Sequence, residues 1–372
     1  MVTMLTGRAT EEGTRRYAER LAPKMPAVNF RPLAGVGGLS SVGIGTYLGR
    51  EDDATDQGYR RAVARALERG LNVVDTAVNY RHQRSERAIG EALADLVRRC
   101  AVRRDEVVIA TKGGYIPFDR DMPADPRAWF TDTYLQAGII RSGEVVGMHC
   151  MTPRYLDDQI GRSRANLGLE TLDVYYVHNP EGQLGSIARP AFFERLREAF
   201  GALERAVADG RIGCYGTATW NGYRQLPDAA DHLSLDEVVA VARDAGRGGH
   251  HFRVIQLPYN LAMTEAFTRA NQRAGGDTVS TLEAARRLGV YVMASASVHQ
   301  GHLTRGLPPL IGEYLPGLGS DAQRAVQFVR STPGIGTALV GMKSVAHVDA
   351  AAGVATTVPM AWERFGRLFT EA

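Results

Sequence analysis

Eight alternating strand and helix units predict an α/β protein folded as a closed (β/α)8 barrel, that is, a TIM barrel. The alternation begins at SVGIG and runs to a carboxyl-terminal helical pair. Helices between consecutive strands make those strands parallel, and eight such units close into a barrel. In addition, three apolar, β-branched runs end in or near polar residues, at Asp75, Lys112 and His178. Such strand ends are typical of an active site at the carboxyl face of a parallel barrel.

Apolar periodicity and cap residues predict the individual elements. The predicted strands read SVGIG, LNVVDTA, VVIATK, LDVYYVH, IGCYGTA, FRVIQLP, VYVMASA and TALVGMK. The predicted helices cover 56–70, 85–99, 153–167, 190–210, 234–246, 278–289 and 320–334. Gly70 is a C-cap signal and Ser85 a predicted N-cap. We expect a single barrel domain over 1–372, with a partly helical N-terminal arm over 1–35 and extra helices at the termini.

The spacing of the strand ends indicates a long insertion after strand 3. Asp75 and Lys112 are 37 residues apart, whereas Lys112 and His178 are 66 residues apart. The excess falls on 113–152, a stretch much longer than an ordinary connection. Because this stretch contains many aromatic residues and follows the carboxyl end of a strand, we expect a packed lid over the site. Surface decoration is the alternative interpretation.

Composition limits the class of protein. Hydrophobic residues make up 44% of the chain, charged residues 23%, and the net charge is +3 without basic blocks, which does not favour nucleic-acid binding. No apolar run is long enough to span a membrane, and the first 30 residues lack a secretory signal, so we expect a cytoplasmic protein. The three cysteines show no CxxC spacing, and His250 and His251 lack further ligands, so no metal site is predicted.

Lys112 is the most diagnostic single residue. A lysine at the end of an apolar strand is expected to be buried, and a buried lysine needs a partner, for which Asp75 is the natural candidate. With Tyr80 beside the pair, the ammonium is expected to lower the pKa of the phenol and make it a usable acid. Each residue taken singly also has a structural explanation: Asp75 could hold a loop, Tyr80 could be a rim tyrosine, and His178 could be a core histidine.

The motifs DTAVNY, ERAIGEAL, IATK, YYVH and GRIGCYGTA resemble the aldo-keto reductase family in order and approximate spacing, over about residues 36–353. The insertion suggests a subgroup with a long segment after strand 3. The resemblance implies that Tyr80 is the general acid, that Lys112 and Asp75 tune it, and that His178 orients and polarises a carbonyl. It also implies hydride delivery by a nicotinamide cofactor, with no metal.

The same resemblance implies the cofactor contacts. They are Gly45, Thr46, Tyr47, Asp75, Thr217, Thr219, Asn221, Gln256, Ser295, Lys343 and Ser344. Gln256 matches the family glutamine that holds the carboxamide, whereas Thr217 and Thr219 stand near the usual Ser-Asn pair and Ser295 replaces the usual stacking aromatic. Lys343 favours NADPH, while Asp349 in the following helix leaves NADH open.

These residues predict an NAD(P)H-dependent oxidoreductase that reduces an aldehyde or ketone to an alcohol, or catalyses the reverse. Two alternatives remain open: a redox-neutral epimerase or isomerase with a retained cofactor, and a nicotinamide-sensing regulatory subunit. The expected partner is a small-molecule carbonyl substrate, and the oligomeric state is not predicted. The predicted substrate contacts are Tyr47, Tyr115, Trp129, Asn179 and Trp220.

Overall fold

The structure, a computed structural model, describes residues 4–369, so residues 1–3 of the predicted arm lie outside the described part. Twelve strands occur in this part of the chain. They are β1 (Phe30–Leu33), β2 (Gly37–Ser40), β3 (Val42–Gly45), β4 (Val73–Asp75), β5 (Val108–Gly113), β6 (Leu172–His178), β7 (Ile212–Ala218), β8 (Phe252–Pro258), β9 (Ala270–Ala274), β10 (Asp277–Ser280), β11 (Tyr291–Ser295) and β12 (Thr337–Gly341).

Eight of these strands form the closed barrel, in the order β11-β12-β3-β4-β5-β6-β7-β8. Every pair around the ring is parallel. The predicted (β/α)8 fold is therefore confirmed. Strands such as β5 and β6 are buried along their whole length because one side packs inside the barrel and the other against helices, which explains their continuous apolar runs.

Thirteen α-helices surround the barrel or flank it in the described part of the chain. They are α1 (Glu11–Leu21), α2 (Asp53–Glu68), α3 (Arg84–Arg98), α4 (Pro126–Phe130), α5 (Pro153–Leu167), α6 (Arg189–Ala208), α7 (Leu235–Ala245), α8 (Glu265–Thr268), α9 (Thr281–Leu288), α10 (Pro309–Tyr314), α11 (Asp321–Ser331), α12 (Val345–Ala355) and α13 (Trp362–Phe365). None of them is both long enough and apolar enough to cross a membrane.

Helix α3 shows how the sequence pattern translates into packing. Ile89, Leu93 and Leu96 recur at helical spacing and are buried against the barrel. The predicted N-cap at Ser85 is wrong. The cap residue is Gln83 in a left-handed conformation, and the Ser85 hydroxyl donates to the Thr46 carbonyl at 2.9 Å.

The amino-terminal end of the barrel is closed by the β1–β2 hairpin and α1. Leu33, Val36 and Leu39 belong to the same apolar cluster as the residues that fill the barrel interior. Helix α1 is fixed to this end by ion pairs from Arg16 to Asp105 at 2.8 Å and from Arg20 to Glu106 at 2.9 Å. As far as residues 4–369 show, only the carboxyl end of the barrel is therefore left open for a site.

Residues 114–152 connect β5 to α5 and contain α4 followed by a π-helical turn, Thr131–Gln136. The segment has its own small core of Ile116, Tyr134, Ile140 and Cys150, which packs on Tyr155 of α5. Its aromatic residues are therefore packed among themselves and against a barrel helix. Its predicted role as a lid, and its use as a mark of a subgroup, stay predictions.

The connection after β8 differs from the sequence prediction. Residues 278–280, assigned to a helix by the pattern, form β10, which pairs antiparallel with β9. The helix begins only at Thr281, with Ser280 as N-cap accepting from the Glu283 N–H. The β-branched Thr278 and Val279 have a local preference for strand, and the paired β9 provides the second strand of the hairpin.

Candidate active site

A cavity of about 420 Å³ opens at the carboxyl ends of the barrel strands. Its wall is formed by residues at or beyond the ends of β3, β4, β6, β7, β8, β11 and β12, and by side chains of α2, α11 and α12. This is the position at which (β/α)8 barrels carry their active sites, because the loops that follow the strands meet there. Asp75, Tyr80 and His178 are all part of this wall.

Lys112 and Asp75 form a buried ion pair at the base of the cavity. Lys112 Nζ lies 2.7 Å from Asp75 Oδ2 and donates to the Thr76 carbonyl at 2.8 Å. The other carboxylate oxygen, Oδ1, accepts from Gln256 Nε2 at 2.7 Å. Burial lowers the pKa of Lys112, and the Asp75 charge opposes that shift. The predicted pairing of these two strand ends is what the structure shows, since β4 and β5 are neighbours in the ring.

Tyr80 stands above this pair, beyond the end of β4. The centroid of its ring is 5.0 Å from Lys112 Nζ, and its ring meets that of Tyr47 edge-on at 5.0 Å. The expected lowering of the Tyr80 pKa is wrong: burial raises the pKa of this phenol well above its usual value, and the Asp75 carboxylate adds to the rise. The structural reason is that loss of water around the phenol and the nearby Asp75 charge both disfavour the phenolate. Tyr80 is accordingly protonated at neutral pH.

His178 ends β6 beside Tyr80, with the two rings edge-on at a centroid distance of 5.9 Å. Burial lowers the pKa of His178 well below its usual value, and the charge of Lys112 contributes in the same direction. The imidazole is therefore neutral at physiological pH. Its Nδ1 atom has no hydrogen-bond partner among the described residues.

Most of the predicted cofactor contacts lie in the cavity wall. They are Gly45, Thr46, Tyr47, Asp75, Thr219, Gln256, Ser295 and Lys343. Thr219 is the most informative of them, because its Oγ1 is buried and has no partner in the described part of the chain. An unpaired buried hydroxyl at a cavity wall indicates a hydrogen bond that a ligand completes.

Three predicted cofactor contacts lie outside the wall. The Thr217 hydroxyl is buried against the Tyr223 hydroxyl at 2.7 Å, and Asn221 Nδ2 donates to Asp231 at 3.1 Å. Ser344 is the N-cap of α12, where its hydroxyl accepts from the His347 N–H at 3.3 Å. These side chains serve local structure, so Thr219 is the hydroxyl that the end of β7 presents to the cavity.

The far end of the cavity carries the positive charge of one lysine. Lys343 and His347 line it, and Lys343 is the sole lysine or arginine among the described wall residues. Asp349, which the sequence suggested would repel a phosphate, is not in the wall. Its carboxylate accepts from Arg65 Nε at 2.8 Å and also pairs with Arg69 at 3.4 Å, so its charge is compensated on the outer side of the helix.

The predicted substrate contacts divide in the same way. Tyr47, Asn179 and Trp220 line the cavity, and Tyr47 and Trp220 remain 57% and 44% exposed, so their aromatic faces are available to a ligand. Tyr115 and Trp129 lie outside the wall, and so do all other described residues of 114–152. Trp129 instead packs on Phe118 and Tyr134 within the segment's own core.

Sequence reasoning missed Glu181, whose carboxylate shapes the wall. Its Oε1 accepts from the backbone N–H groups of Trp220 at 2.7 Å, Asn221 at 3.1 Å and Gly222 at 3.4 Å. Glu181 thereby fixes the loop that presents Trp220. A glutamate three residues after a strand gives no sequence signal for this role, since its partners lie about 40 residues further along the chain.

Residues 41–307 match the model of the aldo/keto reductase family. The chain is 24% identical over 185 residues to an NADH-specific methylglyoxal reductase of Escherichia coli (strain K12), covering 48% of each protein. It is 25% identical over 217 residues to deoxymugineic acid synthase 1-D of Triticum aestivum, covering 54% of the chain and 56% of the relative. The chain thus spans about half the length of these curated relatives.

Solved structures show the same fold. An aldo/keto reductase from Klebsiella pneumoniae in complex with NADP and acetate superposes with a TM-score of 0.61 at 20% identity, covering 92% of this chain and 95% of that one. A glycerol dehydrogenase from Gluconobacter oxydans superposes with a TM-score of 0.64 at 18% identity, covering 92% and 95%. At these identities the structures establish the fold, and the family match covers most of the barrel, so this chain belongs to the aldo/keto reductase family.

Proposed function

We propose that this protein is an NAD(P)H-dependent oxidoreductase that reduces an aldehyde or ketone to an alcohol, or catalyses the reverse, with Tyr80 as the general acid. The observation that carries the proposal is the convergence of four side chains at one end of the cavity. The buried Lys112–Asp75 pair lies under Tyr80, and His178 lies beside it. The pKa values of Lys112, Tyr80 and His178 are all shifted, and such a cluster in a cavity is typical of acid–base chemistry.

The cavity wall fits a nicotinamide cofactor. Near Tyr80 it offers the unpaired Thr219 hydroxyl and Gln256, whose amide nitrogen already donates to Asp75, leaving its carbonyl oxygen to accept. At the other end, Lys343 and the N-terminus of α12 favour a phosphate group. When bound, the nicotinamide supplies the hydride that the reaction requires. The wall residues hold and orient it.

The chain's own residues then handle the proton. Neutral His178 offers an imidazole N–H to the carbonyl oxygen, which fixes the orientation of the substrate and polarises it. Tyr80 carries its proton at neutral pH and donates it to that oxygen as negative charge develops there. The Lys112 ammonium stabilises the phenolate that remains, and Asp75 keeps the ammonium in place. In alcohol oxidation the same groups accept the proton.

Replacing Tyr80 with Phe tests this assignment. We expect carbonyl turnover to fall about 10²- to 10⁴-fold, the usual contribution of general acid catalysis, while cofactor affinity measured by fluorescence titration stays nearly constant. Tyr291→Phe is the matched control, because it removes the hydroxyl of a barrel tyrosine that lies outside the cavity wall and contacts Thr337 at 2.9 Å. Unchanged turnover in Tyr80→Phe would exclude Tyr80 from the mechanism.

The wild-type assay separates the alternatives. Stereochemical inversion of a substrate without net cofactor oxidation would support an epimerase with a retained cofactor. Tight nicotinamide binding with no turnover of any carbonyl in a broad panel would support a sensing role instead.

We further propose that NADPH is preferred over NADH, because Lys343 is the one lysine or arginine among the described wall residues and Asp349 is compensated by Arg65. Lys343→Glu is expected to raise the KM for NADPH about 10-fold or more, the value of one charge-assisted hydrogen bond, with little change for NADH. His347→Gln is the control, because it changes a side chain at the same end of the cavity without reversing a charge. Equal effects on both cofactors would contradict a contact between Lys343 and the additional phosphate.

A further inference from the structure

We propose that His149, in the segment 114–152, is a positioning residue for His178, so that this segment helps to place the catalytic histidine. The inference rests on the proposed function, in which His178 orients the carbonyl. No residue of the segment belongs to the cavity wall in the described part of the chain, so we infer that its effect on the site passes through this contact with His178.

A chain of hydrogen bonds fixes His149 against His178. His149 Nε2 lies 2.7 Å from the His178 carbonyl oxygen, and its Nδ1 lies 2.8 Å from Gln183 Nε2. Arg195 donates to Gln183 Oε1 at 3.1 Å. Because arginine can only donate, Gln183 presents its oxygen to Arg195 and its amide N–H to His149 Nδ1. His149 therefore carries its proton on Nε2 and donates it to the His178 backbone.

The residue at position 114 allows the two histidines to lie close together. Gly114 has a φ of +143°, and a Cβ there would lie 2.5 Å from His149 Nε2 and 3.1 Å from the His178 carbonyl oxygen. A side chain at position 114 would therefore displace His149, the Gly114 backbone or both. The next residue, Tyr115, meets both imidazoles edge-on, at centroid distances of 5.4 Å from His149 and 5.0 Å from His178.

His178 needs such support because its own ring lacks an orienting hydrogen bond. Its Nδ1 has no partner in the described part of the chain, so ring contacts and the position of its backbone determine where the imidazole lies. His149 fixes that backbone, and Tyr115 packs on the ring. Burial also lowers the pKa of His149 to about 4, so the donor stays neutral at physiological pH. A small displacement of a catalytic group has a large effect on rate.

The test is steady-state carbonyl reduction by the full-length protein carrying His149→Phe. We expect kcat to fall about 10- to 100-fold with cofactor affinity unchanged, because misplacement of His178 affects the chemical step. His149→Gln, which keeps a donor within reach of the carbonyl, should recover most of the loss. If His149→Phe fails to fold, Gln183→Leu, which removes the support of His149 Nδ1 together with the acceptor of Arg195, should give a smaller fall of about 3- to 10-fold.

His232→Phe is the matched control. It is also a buried histidine whose Nε2 contacts a backbone carbonyl, that of Asn271 at 3.1 Å, but it lies outside the cavity wall. We expect it to lose stability without loss of kcat. Equal kcat values for folded His149→Phe and His232→Phe would overturn the proposal and show a purely structural role for His149.

A measurement independent of activity separates this proposal from the proposed function. In ¹⁵N-labelled protein, the imidazole signals of His178 should shift in His149→Phe and stay in place in His232→Phe. The chain has nine histidines, so the signals can be assigned by single substitutions. If the wild type reduces no carbonyl yet the His178 signals shift, the proposed function fails while the positioning contact stands. Unchanged His178 signals refute the contact whatever the activity.

Discussion

Replacing Lys112 with Met would leave the Asp75 carboxylate buried without its cation. Lys112 Nζ lies 2.7 Å from Asp75 Oδ2, and the two side chains are only 1% and 7% exposed. Removing one partner of such a pair costs about 3–5 kcal/mol, chiefly because the remaining charge is uncompensated. Gln256 would still donate to Asp75 Oδ1, so we expect a loss near the lower limit, about 3 kcal/mol, in the free energy of unfolding.

The double variant Lys112→Met, Asp75→Asn makes the prediction specific. It removes both charges at nearly constant volume, and Asn can still accept a hydrogen bond from Gln256. We therefore expect the double variant to be less destabilised than the sum of the single variants, by about 2 kcal/mol, the coupling energy typical of a buried network.

The assay is urea-induced unfolding of the wild type, both single variants and the double variant at one pH, followed by circular dichroism. The exposed pair Arg197–Glu194, with side chains 51% and 55% exposed, gives a control cycle with an expected coupling below about 1 kcal/mol. Additivity of the Lys112 and Asp75 effects within about 0.5 kcal/mol would refute the argument that the pair is energetically coupled. All three site variants should lose turnover, so restored stability in the double variant would separate folding from chemistry.

Two further predictions concern the surroundings of the site. Arg81→Met should lower the free energy of unfolding by about 1–3 kcal/mol and should also lower kcat/KM. The reason is that the buried Arg81 guanidinium donates to Asp56 and, at 2.9 Å, to the Arg50 carbonyl beside the cavity loop. A variant whose urea unfolding and kinetics equal those of the wild type would contradict this prediction. Folding stability should fall as pH drops from 6.5 to about 4, because the unfolded chain protonates His149 in that range and the folded protein does not. This histidine alone accounts for up to about 3 kcal/mol of that loss in the free energy of unfolding, so His149→Gln should make the stability less dependent on pH. An equally steep pH dependence in His149→Gln would argue against a buried neutral imidazole.

Several elements could be predicted from the sequence because local pattern determines them. The strand LDVYYVH and the helix over 153–167 have the predicted bounds, since a continuous apolar run and an amphipathic repeat leave few alternatives. The meeting of Asp75, Lys112 and His178 also followed from the sequence. Once the strands are parallel neighbours, their carboxyl ends lie at one rim of the barrel.

Other features depended on where each side chain points. Thr217 and Thr219 are equivalent as residue types, yet only Thr219 reaches the cavity. Thr217 lies within β7 with its hydroxyl buried against Tyr223, whereas Thr219 follows the end of the strand. The hairpin β9–β10 could likewise not be predicted from the sequence of β10 alone, because the strand that pairs with it has to be known as well. Neither the direction of a side chain nor the pairing of a strand can be read from one segment alone.

The sequence by itself thus determined the barrel, the family and the four side chains that gather at its rim, because strand periodicity and strand ends are local properties. The tertiary structure decided what those side chains do electrostatically. Burial raised the pKa of Tyr80 where the sequence predicted the ammonium of Lys112 would lower it. It also placed His149 on the backbone of His178, 29 residues away. Desolvation and long-range contacts arise only when the chain is folded, since both depend on which distant groups exclude water from a site.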